Sequence, residues 1–393
     1  MKKIVKLIST GLLLLMPFYA SAQTPQDEEI VRQSITAFMK QNNIPGAAVE
    51  LYVNGKPESY YFGYADQEKK TPITKNTIFE VGSITKIMTS ILLAQQVDAA
   101  KVQLNDPVTK FLPGLPEDFE DVTLKNLATH TAGLPFKAPE SVTDRTQLEK
   151  YLNEMEPTPA GEKWAYSNFG IGLLGYALET STNKSFDQLY RTQILSPLKM
   201  QPIALTVPKK LSRYYAQGYD KSGVPVKPIE MSLFPAAGAM KASANDMQHF
   251  LSAAIGLPGT PERIFYPMRL TQTAFVRLAD KDQGLGWQIH PITTQTMPRL
   301  LNEPDSMNFG PVPVAEIYDK PTYNGNALID KTGATDGFRT YVAVIPNKKS
   351  GIVILTNKYV SNGQLVNTGR ELLFKLANVT PNEASVSVEK EHA

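Results

Sequence analysis

Three short groups in this chain set a hydroxyl beside a lysine or an amide at spacings that suit acyl transfer. The first is Ser83-Ile84-Thr85-Lys86. Residues three apart on a helix share a face, so the Lys86 side chain can reach the Ser83 hydroxyl. A serine attacks a carbonyl only when a neighbour takes its proton, and a lysine does this when its own proton is made labile. Ser-x-x-Lys says little by itself, because it recurs at Ser181, Ser196 and Ser387. Only Ser83 follows a glycine and opens an apolar helical run, where free N–H groups and the helix dipole favour developing negative charge. A plain helix cap fits the same local pattern.

The second group is Tyr166-Ser167-Asn168. A tyrosine hydroxyl near lysines can relay a proton, since neighbouring cations favour the phenolate. An asparagine amide both donates and accepts, so Asn168 can orient a lysine and a substrate amide. A packed aromatic before a Gly-rich helix, with Ser167 or Asn168 as its cap, is the non-catalytic alternative. The third group, Lys331-Thr332-Gly333, occurs once. A strand edge with a lysine and a hydroxyl can hold a carboxylate, a following N–H can face an oxyanion, and glycine admits a close backbone approach. An ordinary strand-entry turn would read the same way. The three groups occur in order, each in a suitable setting, and together they favour chemistry.

The elements that must position them follow from pattern and punctuation. Thr24-Pro25 and Asp27 start a helix with Ile30, Val31, Ile35, Phe38 and Met39 on one face. Asn43 to Gly46 ends it, and strands over 47–53 and 59–64 flank the hairpin signal Asn54-Gly55. Helical patterns follow at 87–97, 124–129, 145–154, 171–180 and 186–194, with Asp106 opening a helix-start region before Phe111. Ser243 reads as a cap with Asp246 at the third position. Runs 339–345 and 351–355 read as strands, and 363–376 as a final helix. The fold class is α/β plus all-α: an antiparallel sheet flanked by helices, built from both termini, with a mostly helical insert and a cleft at the junction. The expected division is 23–82 and 225–378 for the α/β domain, 83–224 for the helical domain, and 379–393 for a polar tail.

Residues 1–22 read as a cleaved signal peptide. Lys2, Lys3 and Lys6 precede an apolar run from Leu7 to Phe18, and Ala20-Ser21-Ala22 supplies a small-residue cleavage site. Export to the periplasm is the expectation, with no membrane anchor after processing. Without the three leader lysines the remainder carries 37 basic against 38 acidic residues, so no nucleic-acid partner is expected. There are no cysteines, which excludes disulfides and thiol nucleophiles. The four histidines (130, 249, 290 and 392) are scattered, and neither a metal site nor a cofactor is expected. His130 reads as structural. A Gly-x-Ser-x-Gly elbow is absent.

The sequence resembles the class C (AmpC-type) serine β-lactamases along nearly all of the chain after residue 22. The resemblance is carried by residues 79–86, Leu127 to Gly133, Tyr166 to Asn168, Gly284-Leu285-Gly286-Trp287, Lys331 to Thr335, and residues 351–358. It implies a penicillin-recognising fold and a serine hydrolase, with a small-molecule β-lactam as partner, a cephalosporinase lean and a monomeric state. It also implies that Ser83 is acylated, with Lys86 and Tyr166 sharing proton transfer and Asn168 orienting Lys86 and the substrate amide. By the same resemblance Lys331 and Thr332 hold the substrate carboxylate, helped by Asn362, and the N–H groups of Ser83 and Ala334 form an oxyanion hole. Three departures stand out. The loop after Gly133 is one residue shorter and puts Lys137 where the family has a substrate-contacting glutamine. Ala237 stands at a usual tyrosine, and Ala334 and Asp336 follow Lys331-Thr332-Gly333 where serine and glycine are usual. A wider or differently charged side-chain pocket is expected. The alternatives that use the same nucleophile are a D-alanyl-D-alanine peptidase and a β-lactamase-like esterase. A catalytically silent peptidoglycan-binding protein on the same fold is a further alternative.

Overall fold

The structure, a computed structural model, describes residues 25–201, 203–306 and 309–381. The signal-peptide reading of 1–22 and most of the polar tail lie outside these residues.

A ten-stranded antiparallel sheet forms the frame. From one edge to the other its strands are Glu316–Tyr323, Thr273–Arg277, Asp282–Gln283, Gln288–His290, Leu328–Ala334, Arg339–Ile345, Ser350–Thr356, Gly46–Val53, Lys56–Asp66 and Thr71–Pro72. Both ends of the chain therefore feed one sheet. Its central strands are buried on both faces, which is why they read as near-continuous apolar runs. Alternation still sorts their side chains. Ala47, Val49, Leu51, Tyr341, Ala343 and Ile345 face one core, which the helices Pro25–Asn42 and Asn362–Leu376 cover. Ala48, Val342, Val344, Val353 and Leu355 face the larger core, shared with the helix Ala244–Ile255 and the helical region.

Local chemistry sets the element ends. Asn54 and Gly55 both take positive φ (+52° and +81°), matching the twist of a two-residue hairpin. Ser243 caps its helix through a box in which its hydroxyl and the Asp246 carboxylate satisfy each other's backbone N–H. The helices Leu124–Thr129 and Arg145–Glu154 and the strand Arg339–Ile345 have the expected bounds. Three differences are physical. The region after Asp106 forms only a one-turn 3₁₀ segment, Val108–Lys110. The run 186–194 is an α-helix to Tyr190 and then a wider π-type turn, Arg191–Leu195. The helix before Lys331's strand region, Glu262–Thr271, carries Pro267 in its interior, so its pattern reads as broken.

Candidate active site

Strand Ile78–Glu80 leads into a 3₁₀ turn, Gly82–Ile84, that continues as the helix Thr85–Asp98. Ser83 is not the cap of either element; those positions are held by Val81 and Ile84. Its hydroxyl instead accepts a hydrogen bond from Lys86 Nζ at 3.1 Å. The turn is fixed from behind by Thr85, whose hydroxyl donates to Gly82 O at 2.6 Å and accepts from Met240 N at 3.2 Å. Two glycines let this turn touch the strand Leu328–Ala334. Gly82 takes φ +51°, and a Cβ there would lie 2.6 Å from Ala334 N. A Cβ on Gly333 would lie 2.1 Å from Val81 O. Any side chain at either position would push Ala334 away from Ser83.

Lys86 is fully buried. Beyond Ser83, its ammonium donates to Asn168 Oδ1 and to Ala237 O, each at 2.6 Å. Three donors thus meet three acceptors, the condition for holding an ammonium out of water. Burial pulls its pKa from 10.5 down to about 8; the nearby Tyr166 hydroxyl opposes this, and the Lys331 charge adds to it. The Ala237 carbonyl was not legible in the sequence. The Ala237 methyl is itself fully buried, and the short helix Pro235–Gly238 presents its backbone to the lysine.

Tyr166 is nearly buried, with the Lys86 and Lys331 ammonium groups 4.9 and 5.0 Å from its ring centroid. Its loop is held by the main chain: Tyr166 N donates to Phe309 O at 2.8 Å, and Asn168 N to Phe136 O at 2.9 Å. Ser167 is the cap of the helix Asn168–Thr182, its hydroxyl accepting from Gly170 N and donating to Pro135 O. That leaves Asn168, the first helical residue, aimed at Lys86. His130 ends the helix Leu124–Thr129 in the left-handed region (φ +61°), and its Nδ1 accepts from Ser167 N at 3.2 Å. Burial first, then the Lys86 and Lys331 charges, hold its pKa well below the ordinary histidine value. A neutral imidazole therefore braces the Tyr166 segment, in line with the structural reading of this residue.

Lys331 is buried and donates to Thr332 O at 2.9 Å. Burial brings its pKa down to about 8 against the pull of Asp330, with the Lys281 charge lowering it further. Thr332 and Asn362 line one side of a cavity of about 670 Å³, and Asn362 starts the helix Asn362–Leu376. A second cavity, of about 490 Å³, is lined by Tyr166, Phe136 and Phe309, and the rings of Phe136 and Phe309 pack on each other with centroids 4.9 Å apart. Ser83, Lys86, Tyr166, Asn168, Lys331 and Ala334 thus converge. Lys137 is an exposed side chain whose ammonium lies 3.5 Å from Glu140 in the same loop. Among the described residues no group of three or more His, Asp or Glu side chains could hold a metal ion.

Comparison with known proteins agrees with this picture. The family model described as "Beta-lactamase" matches residues 31–375. A β-lactamase of Pseudomonas fluorescens is 32% identical over 355 residues, covering 88% of this chain and 97% of its own. The solved structure of a class C β-lactamase in complex with cefoxitin superposes with a TM-score of 0.83 at 32% identity, covering 89% of this chain and 99% of that one. The D-alanine carboxypeptidase AmpC of Burkholderia cenocepacia superposes with a TM-score of 0.82 at 31% identity, covering 89% and 99%. Fold and comparisons define a hydrolase of the class C β-lactamase type. The chain belongs to the β-lactamase family.

Proposed function

We propose that this enzyme opens the amide bond of β-lactams, cephalosporins foremost, through an acyl-enzyme on Ser83, and that it works in the periplasm after removal of residues 1–22. The observation that carries the reading is the buried Lys86 ammonium, 3.1 Å from Ser83 Oγ and fixed by Asn168 and Ala237. In this reading Ser83 Oγ attacks the lactam carbonyl while its proton passes to the Lys86–Tyr166 pair. The N–H groups of Ser83 and Ala334 stabilise the oxyanion, whose neighbouring backbones are in contact through Gly82 and Gly333. Collapse of the tetrahedral species breaks the C–N bond, and the ring nitrogen takes the proton. A water activated at Tyr166 then attacks the ester, its oxygen joining the carbonyl carbon and one of its protons passing through Tyr166 to Ser83 Oγ as the C–O bond breaks. Lys331, Thr332 and Asn362 hold the substrate carboxylate, and Asn168 meets the substrate amide. The cleft between the sheet-bearing part (23–82 and 225–378) and the helical part (83–224) is where these elements meet.

A D-alanyl-D-alanine carboxypeptidase uses the same first half-reaction, and the Burkholderia cenocepacia neighbour, similar over most of its length, favours it as the second reading. Deacylation separates the two. Steady-state hydrolysis of a chromogenic cephalosporin should far exceed release of D-alanine from a diacetyl-Lys-D-Ala-D-Ala peptide. The opposite ranking would replace the first reading by the second.

A further inference from the structure

Arg339 begins the strand that follows the Lys331-bearing strand, in register with Ala334. It is nearly buried, 4% exposed, and three of its hydrogen bonds go to main-chain carbonyls. Nη1 donates to Thr335 O at 2.6 Å and to Phe338 O at 2.8 Å, the two ends of the turn that Thr335 N and Phe338 O also close. Nε donates to Val360 O at 3.0 Å, two residues before Asn362. The guanidinium lies 3.6 Å above the Tyr359 ring, which covers it from solvent. The turn is seated in the core by Phe338, whose ring meets Phe79 edge-on at 6.3 Å, four residues before Ser83.

Two backbone segments that are distant in sequence are therefore joined by one planar group. One ends the strand at Ala334; the other enters the helix at Asn362. A planar fork of fixed geometry holds carbonyls on two sides at a set spacing, which a flexible ammonium fixes less rigidly.

We propose that Arg339 is a positioning residue that sets the spacing between the Ala334 amide and Asn362, so that oxyanion stabilisation and carboxylate recognition are coupled through it. The proposal rests on the function given above for Ala334 and Asn362.

Arg339→Lys keeps the charge and loses the fork, and Tyr359→Leu removes the covering ring and its hydroxyl from an exposed position while keeping every Arg339 bond to a main-chain carbonyl. Amide hydrogen exchange is the readout that does not depend on activity. It should speed up together at residues 334–338 and 360–362 in Arg339→Lys, with the helix Thr85–Asp98 unchanged. Turnover should show kcat reduced about 10-fold, the effect of a displaced rather than deleted oxyanion donor. The kcat/KM ratio of a carboxylated cephalosporin to its methyl ester should fall as well, since Asn362 moves too. Should Arg339→Lys fail to fold, Tyr359→Leu should give the same paired pattern at smaller amplitude. Faster exchange in only one segment, or an unchanged acid-to-ester ratio with kcat at the parent value, would overturn the coupling. A parent enzyme that turns over neither substrate would overturn the assigned function instead, while the exchange result would still decide whether Arg339 joins the two segments.

Discussion

Lys331 offers a sharp test, because its burial makes a substrate contact depend on pH. The side chain is 6% exposed, and its pKa falls from 10.5 to about 8. A group of pKa near 8 is about nine-tenths charged at pH 7, half at pH 8 and about one-tenth at pH 9. If the ammonium holds the substrate carboxylate, kcat/KM for a carboxylated cephalosporin should fall about 9-fold from pH 7 to 9 through this contact alone. Lys86 titrates in the same range, at about 8, and would lower turnover too. Dividing by the kcat/KM of the matching methyl ester removes that effect, because Lys86 acts on the lactam carbonyl of both substrates. The acid-to-ester ratio should therefore fall across pH 7–9, mainly through KM. In Lys331→Arg, whose guanidinium keeps its charge throughout, the ratio should stay flat. A parent ratio that is also flat would refute the placement of the carboxylate on Lys331.

Other consequences are simpler. Glu50 sits in the strand Gly46–Val53, 1% exposed, with Ser59, Tyr61 and Gln248 donating to it, and burial raises its pKa from 4.5 to about 7. Its folded pKa lies above its unfolded one, so the stability of the parent falls as pH rises from 4.5 to 7 and levels off above. Glu50→Gln should remove about 3 kcal/mol of that fall, measured as the difference between the two proteins' urea unfolding at pH 5 and 8; parallel curves would contradict it. Gly333→Ala should cost about 1–3 kcal/mol of stability and most of the activity, because its methyl meets the Val81 carbonyl. Wild-type kcat in that variant would sink the requirement for contact between the Ser83 turn and Ala334. Lys137→Gln should leave the ranking of cephalosporins with acidic and neutral side chains unchanged, since the ammonium is exposed and faces Glu140; a reordered ranking would restore it to the pocket.

Legibility in the sequence followed signal strength. The helix Leu124–Thr129 stops where His130 takes the left-handed region, and Arg145–Glu154 starts after an Asp144 cap, so turn chemistry marks their ends. The strands Asp282–Gln283 and Gln288–His290 are too short to show a period, and Glu316–Tyr323 is an exposed edge containing Pro321, so neither kind announces itself. At the site, side chains with chemical character were readable in Ser83, Lys86, Tyr166, Asn168 and Lys331. Backbone contributions were not. The Ala237 carbonyl that holds Lys86 carries no residue signature, and the contact through Gly82 and Gly333 depends on two segments about 250 residues apart.

The central claim is that Ser83 becomes covalently acylated by the lactam carbonyl. Rapid mixing of the enzyme with a cephalosporin, acid quench and intact-protein mass spectrometry would measure this directly, with peptide mapping to place the adduct. The expected result is an adduct of the opened lactam on the peptide containing Ser83, decaying as product forms, and none in Ser83→Ala. An adduct on another residue, or product formation by Ser83→Ala at the parent rate, would contradict it.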